Sequence, residues 1–138
     1  MFCGNIHSQS VISQPIMKRF IKSLSYAFAG IKVAVGEQRN VQIHLTIFLL
    51  VIAAGLFIDI NHSEWLAVIL ASSIVISIEM INTAIEKVVD LASPEIHPLA
   101  KKAKDIAAGA VLVAVCFAVI IGLLVFGKYL LQFLSDYL

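Results

Sequence analysis

The sequence predicts an all-α integral membrane protein, with three transmembrane helices preceded by an amphipathic helix on the membrane surface. Composition is the first reason. Of 138 residues, 60% are hydrophobic and only 14% are charged, whereas a soluble domain keeps about 25% charged residues to cover its surface. The mean hydropathy is +0.96. The second reason is three apolar stretches close to the about 20 residues that a helix needs to cross a bilayer. The third is the gathering of basic residues on one side of those stretches. A soluble monomer, a disordered chain and a nucleic-acid binder built on a basic surface are all excluded.

Residues 1–15 form a polar tail, and 16–138 are expected to form one membrane-embedded domain. The tail has no sustained apolar run of the secretory kind. Cys3 lies in it and Cys116 inside a long apolar run, so both are expected to be unpaired thiols. From about Ile16 to Gly36, the residues Phe20, Leu24, Phe28, Ile31 and Val35 recur at helical spacing, with Lys18, Lys22 and Lys32 elsewhere on the wheel. An apolar stripe with a basic remainder suits a helix lying in the membrane interface; a fourth helix packed against the others is the alternative.

The spans run from about Ile43 to Ile60, from about Trp65 to Ile85, and from about Ile106 to Phe126. Backbone polar groups must be paired within lipid, so each is a helix. The first two are separated by a few polar residues and form an antiparallel hairpin, with Trp65 as an interface anchor. Lys18, Arg19, Lys22, Lys32 and Arg39 precede the first span, and Lys87, Lys101, Lys102 and Lys104 separate the second from the third. Excess Lys and Arg marks the cytoplasmic side. The N-terminus and the second connection are therefore expected in the cytoplasm, and the short turn and C-terminus outside.

The end of the second span carries polar groups that lipid does not tolerate. Glu79, Asn82, Thr83, Glu86 and Asp90 fall at i, i+3, i+4, i+7 and i+11. At about 100° per residue they share one face of the helix. Such a face meets another helix or a wet cleft. One reading is structural: Asn82 and Thr83 hydrogen-bond across helices, and the carboxylates find basic partners. The other is a site, and two glutamates and an aspartate on one line favour it. One carboxylate can accept a proton from an attacking hydroxyl while another holds magnesium against phosphate oxygens. Lys101, Lys102 and Lys104, beside Asp105, can neutralise a polyphosphate, although positive-inside bias alone also explains them. No Gly-rich phosphate loop is present, so side chains would hold a nucleotide.

Together, Glu79-xx-Asn82-Thr83-Ala84-Ile85-Glu86-xxx-Asp90 and His97-Pro98-Leu99-Ala100-Lys101-xx-Lys104-Asp105-xx-Ala108-Gly109-Ala110-Val111 resemble the signature of the small prokaryotic diacylglycerol kinase family, which includes undecaprenol kinases. The resemblance covers about Arg19 to Phe126. It implies a homotrimer of three-span subunits in the bacterial inner membrane, and transfer of the ATP γ-phosphate, with Mg2+, to a membrane lipid alcohol. Diacylglycerol, giving phosphatidic acid, and undecaprenol are alternative acceptors. Carried over by position, Glu79 is the proton acceptor at the lipid, Glu86 a magnesium and nucleotide ligand, and Asn82 and Asp90 support the site. Glu95, Ile96, His97, Lys104 and Asp105 contact ATP. Arg19 and Tyr26 match positions near lipid and nucleotide, and Ala108 a lipid-cleft position where a small side chain leaves room. The family's second metal-binding carboxylate aligns on Gln38, a weaker ligand. Either Glu37 replaces it, or Gln38 coordinates through its carbonyl oxygen, or metal affinity is reduced.

Two other classes remain open on the residues alone. An ion or proton pathway could be lined by Glu79, Glu86 and Asp90, but it leaves the His97–Lys104 segment unexplained. A non-catalytic membrane subunit keeping the same fold has only Gln38 in its favour.

Overall fold

A computed structural model describes residues 15–95 and 97–137. Cys3, Ile96 and all of the expected polar tail except Pro15 lie outside them. The described chain is helical: α1 Ile16–Glu37, α2 Arg39–Ile58, α3 His62–Ala92 and α4 Pro98–Tyr137. It divides into two units, residues 1–37 and 38–138.

In the first unit, α1 covers the segment whose apolar residues recur at helical spacing. Its side chains are exposed along almost the whole length. The Lys22 ammonium lies 5.8 Å from the centre of the Tyr26 ring, within cation–π reach.

In the second unit, α2, α3 and α4 are each long and apolar enough to cross a membrane. α2 stops where Asp59 turns left-handed, at φ 57 and ψ 56, and its N–H donates to the Gly55 carbonyl. Aspartate is among the few residues besides glycine that visit this region routinely. Two residues later α3 begins with a capping box, in which Glu64 N–H donates to Asn61 Oδ1 at 3.1 Å and Asn61 N–H to Glu64 Oε2 at 2.9 Å. Gly55 lets the hairpin close: a Cβ there would stand 2.8 Å from Trp65 Cη2. Trp65 thus packs on α2 as well as marking the end of a span.

Two helices run further than their apolar stretches. α3 continues past Ile85 to Ala92, because 86–92 contains no helix breaker, and ends before Ser93-Pro94, where the proline disfavours helical backbone at the preceding residue. α4 starts at Pro98, the position where proline's missing N–H costs nothing. Lys101, Lys102, Lys104 and Asp105 therefore stand on the first turns of a helix and not in a loop. Residues 127–137, beyond Phe126, are helical too.

The packed interior is thin. Ile60, Val68 and Val125 are buried together, flanked by Val51, Trp65 and Phe126 among others. Large residues such as Leu49, Leu56, Leu70, Leu112, Phe117 and Leu123 stay exposed. Leaving such side chains in water would forfeit about 1.5–3 kcal/mol each; lipid removes that penalty.

Candidate functional site

The polar face of α3 enters the protein at one end and emerges at the other. Glu79 is 3% exposed, Asn82 5% and Thr83 6%. Glu86 is half-buried and Asp90 is exposed. The first half of the stripe is therefore turned inward, as an apolar solvent requires of it. Asn82 Nδ2 donates to Glu86 Oε1 at 3.1 Å. Among the described residues nothing donates to Asn82 Oδ1, although that atom is buried.

At the emerging end, Lys104 Nζ donates to Asp90 Oδ1 at 2.9 Å, and the Lys104 ammonium also feels the Glu86 carboxylate. The stripe and the lysine cluster, separate in sequence, are thus joined through α3 and α4. Two local side-chain bonds flank the step between them. Ser93 Oγ donates to the Glu95 carbonyl at 3.1 Å, and Leu99 N–H donates to His97 Nδ1 at 3.2 Å. His97 thereby caps the start of α4, which places the proton of a neutral ring on Nε2.

The structure brings together Glu79, Asn82, Glu86, Asp90 and Lys104. Asp105 and Ala108 follow on α4, and both are exposed, as are Glu95 and His97. Gln38 is the N-cap of α2 and makes no side-chain capping bond, so its amide is not committed to the helix end. Arg19, Tyr26 and Glu37 stand on α1, in the other unit, and Ile96 lies outside the described residues. One turn beyond Glu79 along α3, an apolar cavity of about 250 Å³ opens between α2, α3 and α4, lined by Phe48, Val51, Val75, Ile76 and Val119, with His44 and Ser72 as its polar members.

Among the described residues, no three His, Cys, Asp or Glu side chains converge as a metal cage. Magnesium does not ask for one, since it is usually held by one or two carboxylates plus substrate phosphates. Glu86 fits that role: a carboxylate offers about four lone-pair sites, and Asn82 engages one oxygen.

One cluster was not anticipated. Glu64 accepts from Tyr129 Oη at 2.9 Å and pairs with Lys128, and the Lys128 ammonium lies 4.7 Å from the Tyr129 ring centre. The Asn-x-x-Glu spacing of Asn61 and Glu64 was a visible capping signal; the partners from α4 had none.

These features define a multi-pass helical membrane protein whose acidic helix face is tied to a basic helix start. The family described as Prokaryotic diacylglycerol kinase matches residues 25–126. Undecaprenol kinase of Bacillus subtilis is 42% identical over 80% of this chain and 89% of its own length. Diacylglycerol kinases of Helicobacter pylori (strain J99) and Escherichia coli K12 are 42% and 34% identical, over 83% and 74% of this chain and 86% and 84% of their own lengths. The chain belongs to the prokaryotic diacylglycerol kinase family.

Proposed function

We propose that this lipid kinase transfers the γ-phosphate of ATP, with Mg2+, to the hydroxyl of a membrane lipid. The acceptor is diacylglycerol, giving phosphatidic acid, or undecaprenol. The observation that carries the reading is the Lys104–Asp90 contact, because it joins a carboxylate stripe in the apolar layer to a cation at its polar end. A lipid hydroxyl is confined to the interface and a polyphosphate to the water beside it. Glu79 and Glu86 lie about 10 Å apart along α3 at about 1.5 Å per residue, a separation that accommodates one near each.

In this reading Glu79 accepts the hydroxyl proton as the lipid oxygen bonds to the γ-phosphorus. The bond from that phosphorus to its bridging oxygen breaks, and ADP leaves. Burial of Glu79 keeps bulk water from competing as acceptor. Glu86, with Gln38 or Glu37, would hold magnesium, which neutralises phosphate charge when bound. Asn82 orients Glu86, and Asp90 orients Lys104 toward the phosphates. On the family resemblance, Glu95, Ile96, His97, Asp105 and Tyr26 are nucleotide-side positions. The cavity beyond Glu79 suits a hydrocarbon tail; on the family resemblance, Ala108 and Arg19 are lipid-side positions. We further propose a homotrimer in the bacterial inner membrane, with α1 amphipathic on the cytoplasmic face and the N-terminus inside; the distribution of Lys and Arg supports that orientation.

Incubation of the membrane-embedded protein with γ-labelled ATP and each lipid alcohol tests the reading. Label should appear in lipid and be lost in Glu79→Gln. Label transfer that survives this change removes Glu79 from its role. Transfer to neither lipid above an empty-membrane control removes the activity. Side-by-side rates on the two lipids decide the acceptor.

A further inference from the structure

Two polar contacts between α3 and α4 stand at opposite ends of the pair. At one end Asp90 holds Lys104 at 2.9 Å. At the other, Glu64 gathers Lys128, the Tyr129 hydroxyl and the Asn61 N–H. The Glu64 side chain is 12% exposed, and both of its oxygens are engaged by these partners. Lys128 and Tyr129 lie past residue 126, where the family match ends.

The spacings agree. Glu64 and Asp90 are about 39 Å apart along α3, and Lys104 and Lys128 about 36 Å apart along α4, at about 1.5 Å per residue. Both contacts therefore close together in one axial register. A slip of one turn, about 5.4 Å, moves the α4 donors Lys104, Lys128 and Tyr129 off the geometry that bonds them to Asp90 and Glu64. Between the two ends the buried apolar residues are small or short, Val68, Ala71 and Val75 on α3 and Ala107, Ala114 and Val125 on α4. Of the buried Glu79, Asn82 and Thr83, the side-chain bond described, Asn82 to Glu86, stays within α3. Lipid supplies no hydrophobic driving force between helices, and interhelical polar bonds are among what holds them together; the two described between α3 and α4 stand at the ends.

We propose that Glu64, Lys128 and Tyr129 form a remote positioning device. They set the register of α4 against α3 and so keep Lys104 on Asp90 at the far end of the helices. What that far end receives, the nucleotide phosphates, rests on the function proposed above; the register does not.

The test separates the two. Spin labels are placed at Leu70 and Ile106, both exposed and about 27 Å apart along the helix axes at about 1.5 Å per residue, so that a slip changes their separation almost one for one, in protein lacking its native cysteines and diluted with unlabelled protein. Pulsed dipolar spectroscopy should give one narrow distance in the parent chain, and a shift or broadening of about 5 Å, close to one turn, in Lys128→Met/Tyr129→Phe. In lipid kinase assays the same double variant should raise the KM for ATP at least fivefold while kcat falls less than twofold. Lys128→Arg keeps the charge and should restore both readouts. If the double variant does not fold, Lys128→Met alone is compared with Lys128→Arg. An unchanged distance overturns the proposal, whatever the KM, and so does a Lys128→Arg variant as impaired as Lys128→Met. A parent chain without lipid phosphorylation instead removes the kinase reading, and the distances alone then decide the register.

Discussion

Asn82 and Glu86, one turn apart on α3, are joined by a bond of 3.1 Å from the amide nitrogen to a carboxylate oxygen. An ionised carboxylate only accepts, so the bond fixes which way the amide faces and leaves its oxygen turned elsewhere, buried and without a donor among the described residues. Buried acceptors of this kind are rare, and leaving one unmade costs about 1–3 kcal/mol.

Asn82→Leu removes the orphan together with the donor. Because the orphaned oxygen goes with the donor, and water can reach the half-buried Glu86 carboxylate in the amide's place, stability should change by no more than about 1 kcal/mol, while the phosphorylation rate falls at least tenfold as Glu86 loses its tether. Thermal unfolding in detergent and initial rates check the two halves. A variant with full activity would make Asn82 a packing residue.

Glu86→Gln should raise the magnesium concentration for half-maximal activity by about tenfold or more, since a neutral amide binds this hard cation less well than a carboxylate. The elution volume of the assembled protein should not move. A magnesium titration overlaying that of the parent chain would remove Glu86 as ligand.

Gln38→Glu works in the opposite direction. A carboxylate at the start of α2 should lower the half-saturating magnesium concentration several-fold. It should also favour the helix start by about 0.3–1 kcal/mol through the dipole. A titration unmoved by the change would separate residue 38 from the metal.

Asp90→Asn leaves Lys104 without its anchor. Asp90 is 65% exposed and Lys104 37%, so the pair contributes less than about 1 kcal/mol to stability. The expected signature is kinetic: a higher KM for ATP, measured at saturating lipid, with little change in melting temperature. A large drop in melting temperature with unchanged KM would make the pair purely structural.

Gly55→Ala sets helix propensity against packing. Alanine gains about 1 kcal/mol over glycine within a helix, but its Cβ would meet Trp65 at 2.8 Å and Ile60 at 3.0 Å, and overpacking costs about 1–3 kcal/mol. The variant should melt lower than the parent. In a Trp65→Phe background, where the distal ring is gone, the same change should be neutral or stabilising.

What the sequence by itself determined is the set of local properties: three apolar helices, a helix over the N-terminal apolar stripe, a tight hairpin at Asp59–Asn61, and one polar line from Glu79 to Asp90. Periodicity and capping act over a few residues and need no knowledge of neighbours. The lengths of α3 and α4 were less legible, because hydropathy stops at the edge of the apolar layer whereas a helix stops only at a breaker such as Ser93-Pro94. The pairing of residues far apart in the chain was decided by tertiary structure alone. Whether Lys104 meets Asp90, and whether Glu64 meets Lys128 and Tyr129, depends on the rotation and axial register of two packed helices. Composition leaves both open, since any face of α4 is apolar enough to lie against α3.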